Sequence, residues 1–185
     1  MIKGLKKLLD RGAPDAAPTP GTLPKLRVLM VCMGNICRSP TAEAVLRTKL
    51  AAAGLQRAVV VDSAGTHGYH TGEAPDPRAV KVGAARGYAL GELRARPVVP
   101  ADFAGYDWLL AMDQANFEWL QRKAPPGFSG RIELLLPYGC RFPDVREVPD
   151  PYYGPPAGFD RVLDLVEDAC DGFIQRLKLE GSKAD

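Results

Sequence analysis

The run LRVLMVCMGNICRSPT at residues 26–41 decides the fold. Leu26 to Val31 is apolar except for Arg27, and its length and valines suit a strand covered on both faces. Gly34 can take backbone angles closed to other residues and Asn35 tolerates the left-handed region, so the chain turns there. Pro40 suits a first helical turn, and the reading starts the next helix only after it, leaving Cys32 to Ser39 as a loop. A strand that feeds a helix through a short loop opens a βαβ unit.

The rest of the chain keeps that alternation. Thr41 to Ala53 reads as a helix, Ala58 to Asp62 as a strand, Arg78 to Arg86 as a helix, Trp108 to Ala111 as a strand and Asp113 to Lys123 as a helix. Arg131 to Leu136 follows as a fourth strand. Phe159 to Leu179 is a long last helix, on which Val162, Leu165, Val166, Ala169, Phe173 and Leu177 recur at helical spacing. Strand alternating with helix implies an α/β domain, three layers α/β/α around a parallel twisted sheet. Ligands of such sheets sit beyond the carboxyl ends of the strands. Ahead of this domain, Met1 to Asp10 reads as a short basic amphipathic helix and Gly12 to Pro24 as a linker rich in proline and glycine. Residues 1–24 are therefore expected to be an extension, either loosely docked or touching a membrane surface or partner, and residues 25–180 the domain proper.

Composition narrows the function. Of 185 residues, 46% are apolar and 25% charged, an ordinary globular mix that excludes wholesale disorder. A net charge of +2 is too balanced for the basic stripe of a nucleic-acid binder. No apolar run approaches the ~18–20 residues of a membrane span. No apolar leader with a small-residue cleavage site precedes the cysteines, so a reducing cytoplasm is expected. Cys32, Cys37, Cys140 and Cys170, with His67 and His70, lack the spacing of a structural metal site. The oligomeric state is open, with a monomer as the default.

The loop carries the chemistry. Its bends can turn several amides inward as an anion nest backed by the positive end of the following helix. Cys32, at the head of the loop, would stand in that field as a thiolate. Arg38 would lie across the same ring and offer a planar fork to two phosphoryl oxygens, which lysine cannot do. Ser39 is placed to donate its hydroxyl to the sulfur. Elsewhere, Asp150 lies between Pro149 and Pro151, which stiffen it in an extended geometry from which it can project into a cleft. Cys140 and Cys170 read as inert, and His67 and His70 as surface loop residues.

The segments VCMGNICRSPTAEA (31–44), DSAGTHGY (62–69), PDPRA (75–79), AMDQAN (111–116) and PDPYYG (149–154) occur in that order. Together they resemble the low-molecular-weight protein tyrosine phosphatases, over about Lys25 to Leu179. The resemblance implies a four-stranded parallel sheet and hydrolysis of phosphotyrosine proteins and small aryl phosphates through a phosphocysteine, without metal or cofactor. It makes Cys32 the nucleophile, Arg38 the phosphate clamp and Asp150 the general acid and later base. Met33, Gly34, Asn35, Ile36, Cys37 and Ser39 would surround the phosphoryl group. Tyr152 and Tyr153 would wall an aromatic slot opposite Tyr69, ordinary exposed tyrosines being the alternative. Cys37 would form a reversible bridge with oxidised Cys32 or else merely fill the loop. Asn35 resembles a loop-bracing asparagine and Ser63 a serine that helps hold it. Leu93 departs from the pattern, because many relatives carry a histidine there and leucine cannot hydrogen-bond. Ile36 argues against phosphoarginine, since relatives acting on it tend to have threonine at that position. An arsenate reductase would need a cysteine pair that Cys140 and Cys170 do not resemble. A phosphate-sensing module without turnover is the rival from another class.

Overall fold

The computed structural model describes residues 26–181, so the expected helix over 1–10 and linker over 12–24 lie outside the described residues. Strands β1 (Leu26–Cys32), β2 (Val59–Gly65), β3 (Trp108–Ala111) and β4 (Arg131–Leu134) pair in parallel in the order β2-β1-β3-β4. Around them lie helices α1 (Arg38–Ala52), α2 (Pro77–Ala85), α3 (Pro100–Gly105), α4 (Gln114–Lys123) and α5 (Ala157–Gly181).

The period-two alternation of β1 divides the core into layers. Val28, Met30 and Cys32 pack with Leu46 of α1, with Val166 and Phe173 of α5, and with Trp108 and Leu110. Leu29 and Val31 face the other way, onto Leu109, Phe103 of α3 and Leu120 of α4. From Val28 onward both faces of β1 are thus sealed, which its apolar run requires. Among the described residues no helix is long and apolar enough to cross a membrane.

Several boundaries differ from the sequence reading. Helix α1 begins at Arg38, not after Pro40. The first amides of a helix have no intrahelical acceptor, so proline at the third position loses nothing. Arg38 and Ser39 therefore ride on a helical turn rather than a loop. β2 continues to Gly65, and β4 ends at Leu134 because Leu136–Tyr138, with Pro137, winds into a 3-10 turn. Helix α3 has six residues, too few to show a helical period, and the Asp102 carboxylate fixes its start by accepting the Val99 N–H at 2.8 Å.

The chain leaves β1 toward β2 on one side, while β3 and β4 add on the other. The carboxyl ends of β1 and β3 are thus the switch point at which such sheets open a crevice. Cys32 ends one of these strands, and Asp113 follows the other.

Candidate active site

The loop after β1 is turned inside out by its neighbours. The carbonyls of Cys32 and Met33 accept the amides of Thr66 and His67 at 2.8 and 3.0 Å, and the Ile36 carbonyl accepts Asp76 N–H at 2.8 Å. The Cys37 carbonyl takes both the Thr41 hydroxyl, at 2.7 Å, and the Thr41 amide. With its carbonyls committed outward, the loop keeps its amides for an anion. This docking demands glycine at 65, where a Cβ would meet the Met33 oxygen at 2.7 Å. No side chain caps the N-terminus of α1, so its first amides have no side-chain acceptor and its positive end is left for an anion.

Cys32 Sγ sits at the base, 2% exposed. It accepts the Asn35 N–H at 3.3 Å and lies 3.0 Å from Ser39 Oγ. Asn35 holds a left-handed φ of 56°, a strained geometry that needs support. Its Nδ2 donates to Ser39 Oγ and to Ser63 Oγ, each at 2.9 Å, and its Oδ1 accepts the Arg96 N–H at 2.9 Å. The amide is saturated without any contribution from residue 93. The backbone of Arg96 is held because its guanidinium pairs with Asp62 at 2.8 Å and with Asp102 at 3.0 Å.

Arg38 is 3% exposed and doubly tethered. Its Nη1 donates to Asp113 Oδ2 at 2.5 Å and its Nη2 to Asp150 Oδ2 at 3.1 Å. Burial works against its charge, but the Cys32 sulfur, Asp150 and Asp113 outweigh that and hold the guanidinium above its usual range. Asp113 also caps α4, accepting the Asn116 N–H at 2.7 Å through its other oxygen. Arg38 Nη1 further donates to the Val148 carbonyl at 3.3 Å, while the Val148 amide donates to the Met112 carbonyl at 2.7 Å. The segment before Asp150 is thereby anchored to the end of β3. Beyond it, Arg78 pairs with Asp76 and donates to the Tyr152 carbonyl at 3.0 Å.

A cavity of about 210 Å³ opens over the sulfur, lined by Cys32, Met33, Gly34, Ile36, Cys37 and Arg38, and by Tyr69, His70, Asp150, Tyr152 and Tyr153. Asn35 and Ser39 lie beneath the loop instead of lining it. Tyr69 and Tyr153 are 75% and 97% exposed, rim residues rather than buried ones. His70, which reads as a surface loop residue, is partly exposed and lines the cavity, with Glu73 Oε2 2.8 Å from its Nδ1. Asp113, Arg78 and Arg96 were also not singled out by sequence, because each acts on a partner far along the chain. Cys140 is exposed and Cys170 fully buried, away from this cavity. Among the described residues no group of three His, Cys, Asp or Glu side chains could hold a metal ion.

The family profile described as low molecular weight phosphotyrosine protein phosphatase matches residues 27–183. A low molecular weight protein-tyrosine-phosphatase of Streptomyces coelicolor is 42% identical, over 85% of this chain and 98% of its own. A protein tyrosine phosphatase of Entamoeba histolytica, crystallised with Hepes in its active site, superposes with a TM-score of 0.79 at 42% identity, covering 85% of this chain and 99% of that one. A Drosophila arginine phosphatase superposes with a TM-score of 0.76 at 32% identity, covering 82% and 97%. With the fold, the order of its loops and the sequence all in agreement over nearly the whole described chain, this protein belongs to the low molecular weight phosphotyrosine protein phosphatase family.

Proposed function

We propose that this protein hydrolyses phosphotyrosine in proteins, and small aryl phosphates, in two steps through a phosphocysteine. The observation that carries this is a buried sulfur faced by a backbone amide and a hydroxyl, beneath a cavity that Arg38 and Asp150 enter from one side. The Cys32 thiolate attacks phosphorus while the loop amides and Arg38 gather the equatorial oxygens. The bond from phosphorus to the phenolic oxygen breaks, and that oxygen takes the proton of Asp150. Water, giving a proton to Asp150, then cleaves the phosphorus–sulfur bond, and the Ser39 hydroxyl eases the sulfur's departure. Tyr69, Tyr152 and Tyr153 at the rim favour an aromatic leaving group, and Ile36 favours tyrosine over arginine as the phosphorylated residue. The test is hydrolysis of phenyl phosphate and of a phosphotyrosine peptide in the presence of a chelator. Activity that vanishes with chelation, or phosphate binding without turnover, would contradict this reading.

The working unit is proposed to be residues 25–180, acting as a monomer in the cytoplasm, with residues 1–24 an appended segment. Redox control belongs to the same proposal. Burial, with the negative fields of Asp76, Cys32 and Asp150, pushes the Cys37 thiol up to about 12, so it stays protonated while Cys32 reacts first. Peroxide converts the Cys32 thiolate to a sulfenic acid. The Cys37 sulfur then displaces water, losing its proton and forming the disulfide. Peroxide inactivation should be reversed by dithiothreitol in the wild type and be irreversible in Cys37→Ser. Full recovery of Cys37→Ser, or a bridge from Cys32 to Cys140 or Cys170 on peptide mapping, would remove Cys37 from this role.

A further inference from the structure

Glu43 is a buried acid that the proposed chemistry does not use. It lies on α1 with 2% exposure. Its Oε2 accepts the Ser63 hydroxyl at 2.5 Å. Its Oε1 has Arg47 Nη2 at 2.8 Å as an ion pair, but no partner with hydrogen-bond geometry. Burial pushes this carboxyl above the usual carboxylate range; Asp62 adds to the rise, while Ser63, Arg47 and Arg96 oppose it. Because the folded state holds the proton more tightly, the group's stabilising contribution is full below the ordinary carboxylate range and is lost as pH rises through the folded value. An ionised side chain at this position is a burden on the fold.

What Glu43 does achieve is to commit the Ser63 proton. With that proton engaged, the Ser63 oxygen offers its lone pairs to Asn35 Nδ2 at 2.9 Å. The other Nδ2 proton goes to Ser39 Oγ at 2.9 Å. That leaves the Ser39 proton for Cys32 Sγ at 3.0 Å, in preference to the Ala64 carbonyl at 3.4 Å. We propose that Glu43 is a positioning residue for the anion loop, fixing Asn35 through Ser63 and thereby aiming the Ser39 hydroxyl and the Asn35 N–H at Cys32 Sγ. This rests on the reading of Cys32 as nucleophile. A helix residue with no access to the cavity thus sets the reactivity of the sulfur.

The test compares Glu43→Met, which has similar length and no acceptor, with Glu43→Gln, Ser63→Ala and the Glu43→Met/Ser63→Ala double variant. Four quantities are measured: the pH profile of Cys32 alkylation by iodoacetate, kcat and KM on phenyl phosphate, and the thermal midpoint. Glu43→Met should slow alkylation near pH 6 and lower kcat by about tenfold, the scale of one hydrogen bond. KM should change little, since Arg38 and the other loop amides are untouched. Ser63→Ala should show the same loss, and the double variant no further loss, because both act through one path. Glu43→Gln keeps the acceptor and should stay near wild type, with a thermal midpoint no lower and less dependent on pH. Losses that multiply in the double variant would overturn the proposal, as would wild-type alkylation in Ser63→Ala, which decides the matter even if Glu43→Met does not fold. Alkylation needs no turnover, so a wild type inactive on phenyl phosphate would refute the functional reading while leaving this comparison intact.

Discussion

Turnover by Cys32→Ser is expected to fall on the order of 10⁴-fold or more, with affinity for inorganic phosphate undiminished. The docking of the loop through its carbonyls and the Arg38 fork do not depend on the sulfur, and the Asn35 N–H that donates to it can donate to a serine oxygen instead. A serine hydroxyl in its place keeps a similar volume but is not ionised near neutral pH. Cys37, the neighbouring thiol, cannot take its place, since burial pushes its pKa up to about 12 and keeps it protonated near neutral pH. Steady-state rates on phenyl phosphate and calorimetric titration with phosphate would separate the two effects. Turnover within tenfold of wild type would exclude Cys32 as nucleophile, and lost phosphate binding would mean that the sulfur organises the loop.

Asp150→Asn should slow phosphotyrosine and phenyl phosphate by about 10²–10⁴-fold, the usual worth of general acid catalysis, and p-nitrophenyl phosphate much less. Asparagine retains the shape and can still accept the Tyr152 N–H that Asp150 Oδ1 accepts at 3.2 Å. What it cannot do is give up a proton to a departing phenoxide, and nitrophenoxide hardly needs one. A ratio of the two substrates' rates that stays at the wild-type value would show Asp150 to be a structural tether for Arg38.

The elements most legible in the sequence were those whose cause is local. Leu26 to Val31 reads as a strand because Val28 to Val31 are buried on one face or the other, and the ends read for β3 are the observed ones. Cys32 and Arg38 stood out because the loop between them is so constrained, and Asp150 because prolines flank it. The start of α1 was misread because Pro40 was treated as a barrier rather than as a tolerated third residue. What stayed hidden is non-local. Asp113 looked like an ordinary helix start, and its cap explains it fully until Arg38, 75 residues earlier, is seen on its second oxygen. Arg78 serves a carbonyl 74 residues away, and Arg96 presents its backbone to Asn35 across 61. His70 reads as a surface loop residue, and only the folded loop places it at the cavity wall. Leu93 seemed to remove a brace, yet Asn35 draws its support from Ser63 and Arg96.

The pairing of Arg38 with both Asp113 and Asp150 bears on how the cycle ends. A phosphoryl dianion and Asp150 both seek the same guanidinium, and the tethered carboxylate has an effective concentration of millimolar or above, roughly that of a short linkage. On the proposed mechanism, substrate entry is an exchange of anions, with Asp113 keeping the arginine aligned while Asp150, released from the guanidinium and protonated, meets the leaving oxygen. On the same mechanism the exchange runs backward after hydrolysis: once Asp150 has released the proton taken from water, it returns as a carboxylate that competes with inorganic phosphate for Arg38. On that mechanism the protein would carry its own displacing ligand, trading some affinity at the start of each cycle for a vacated site at its end.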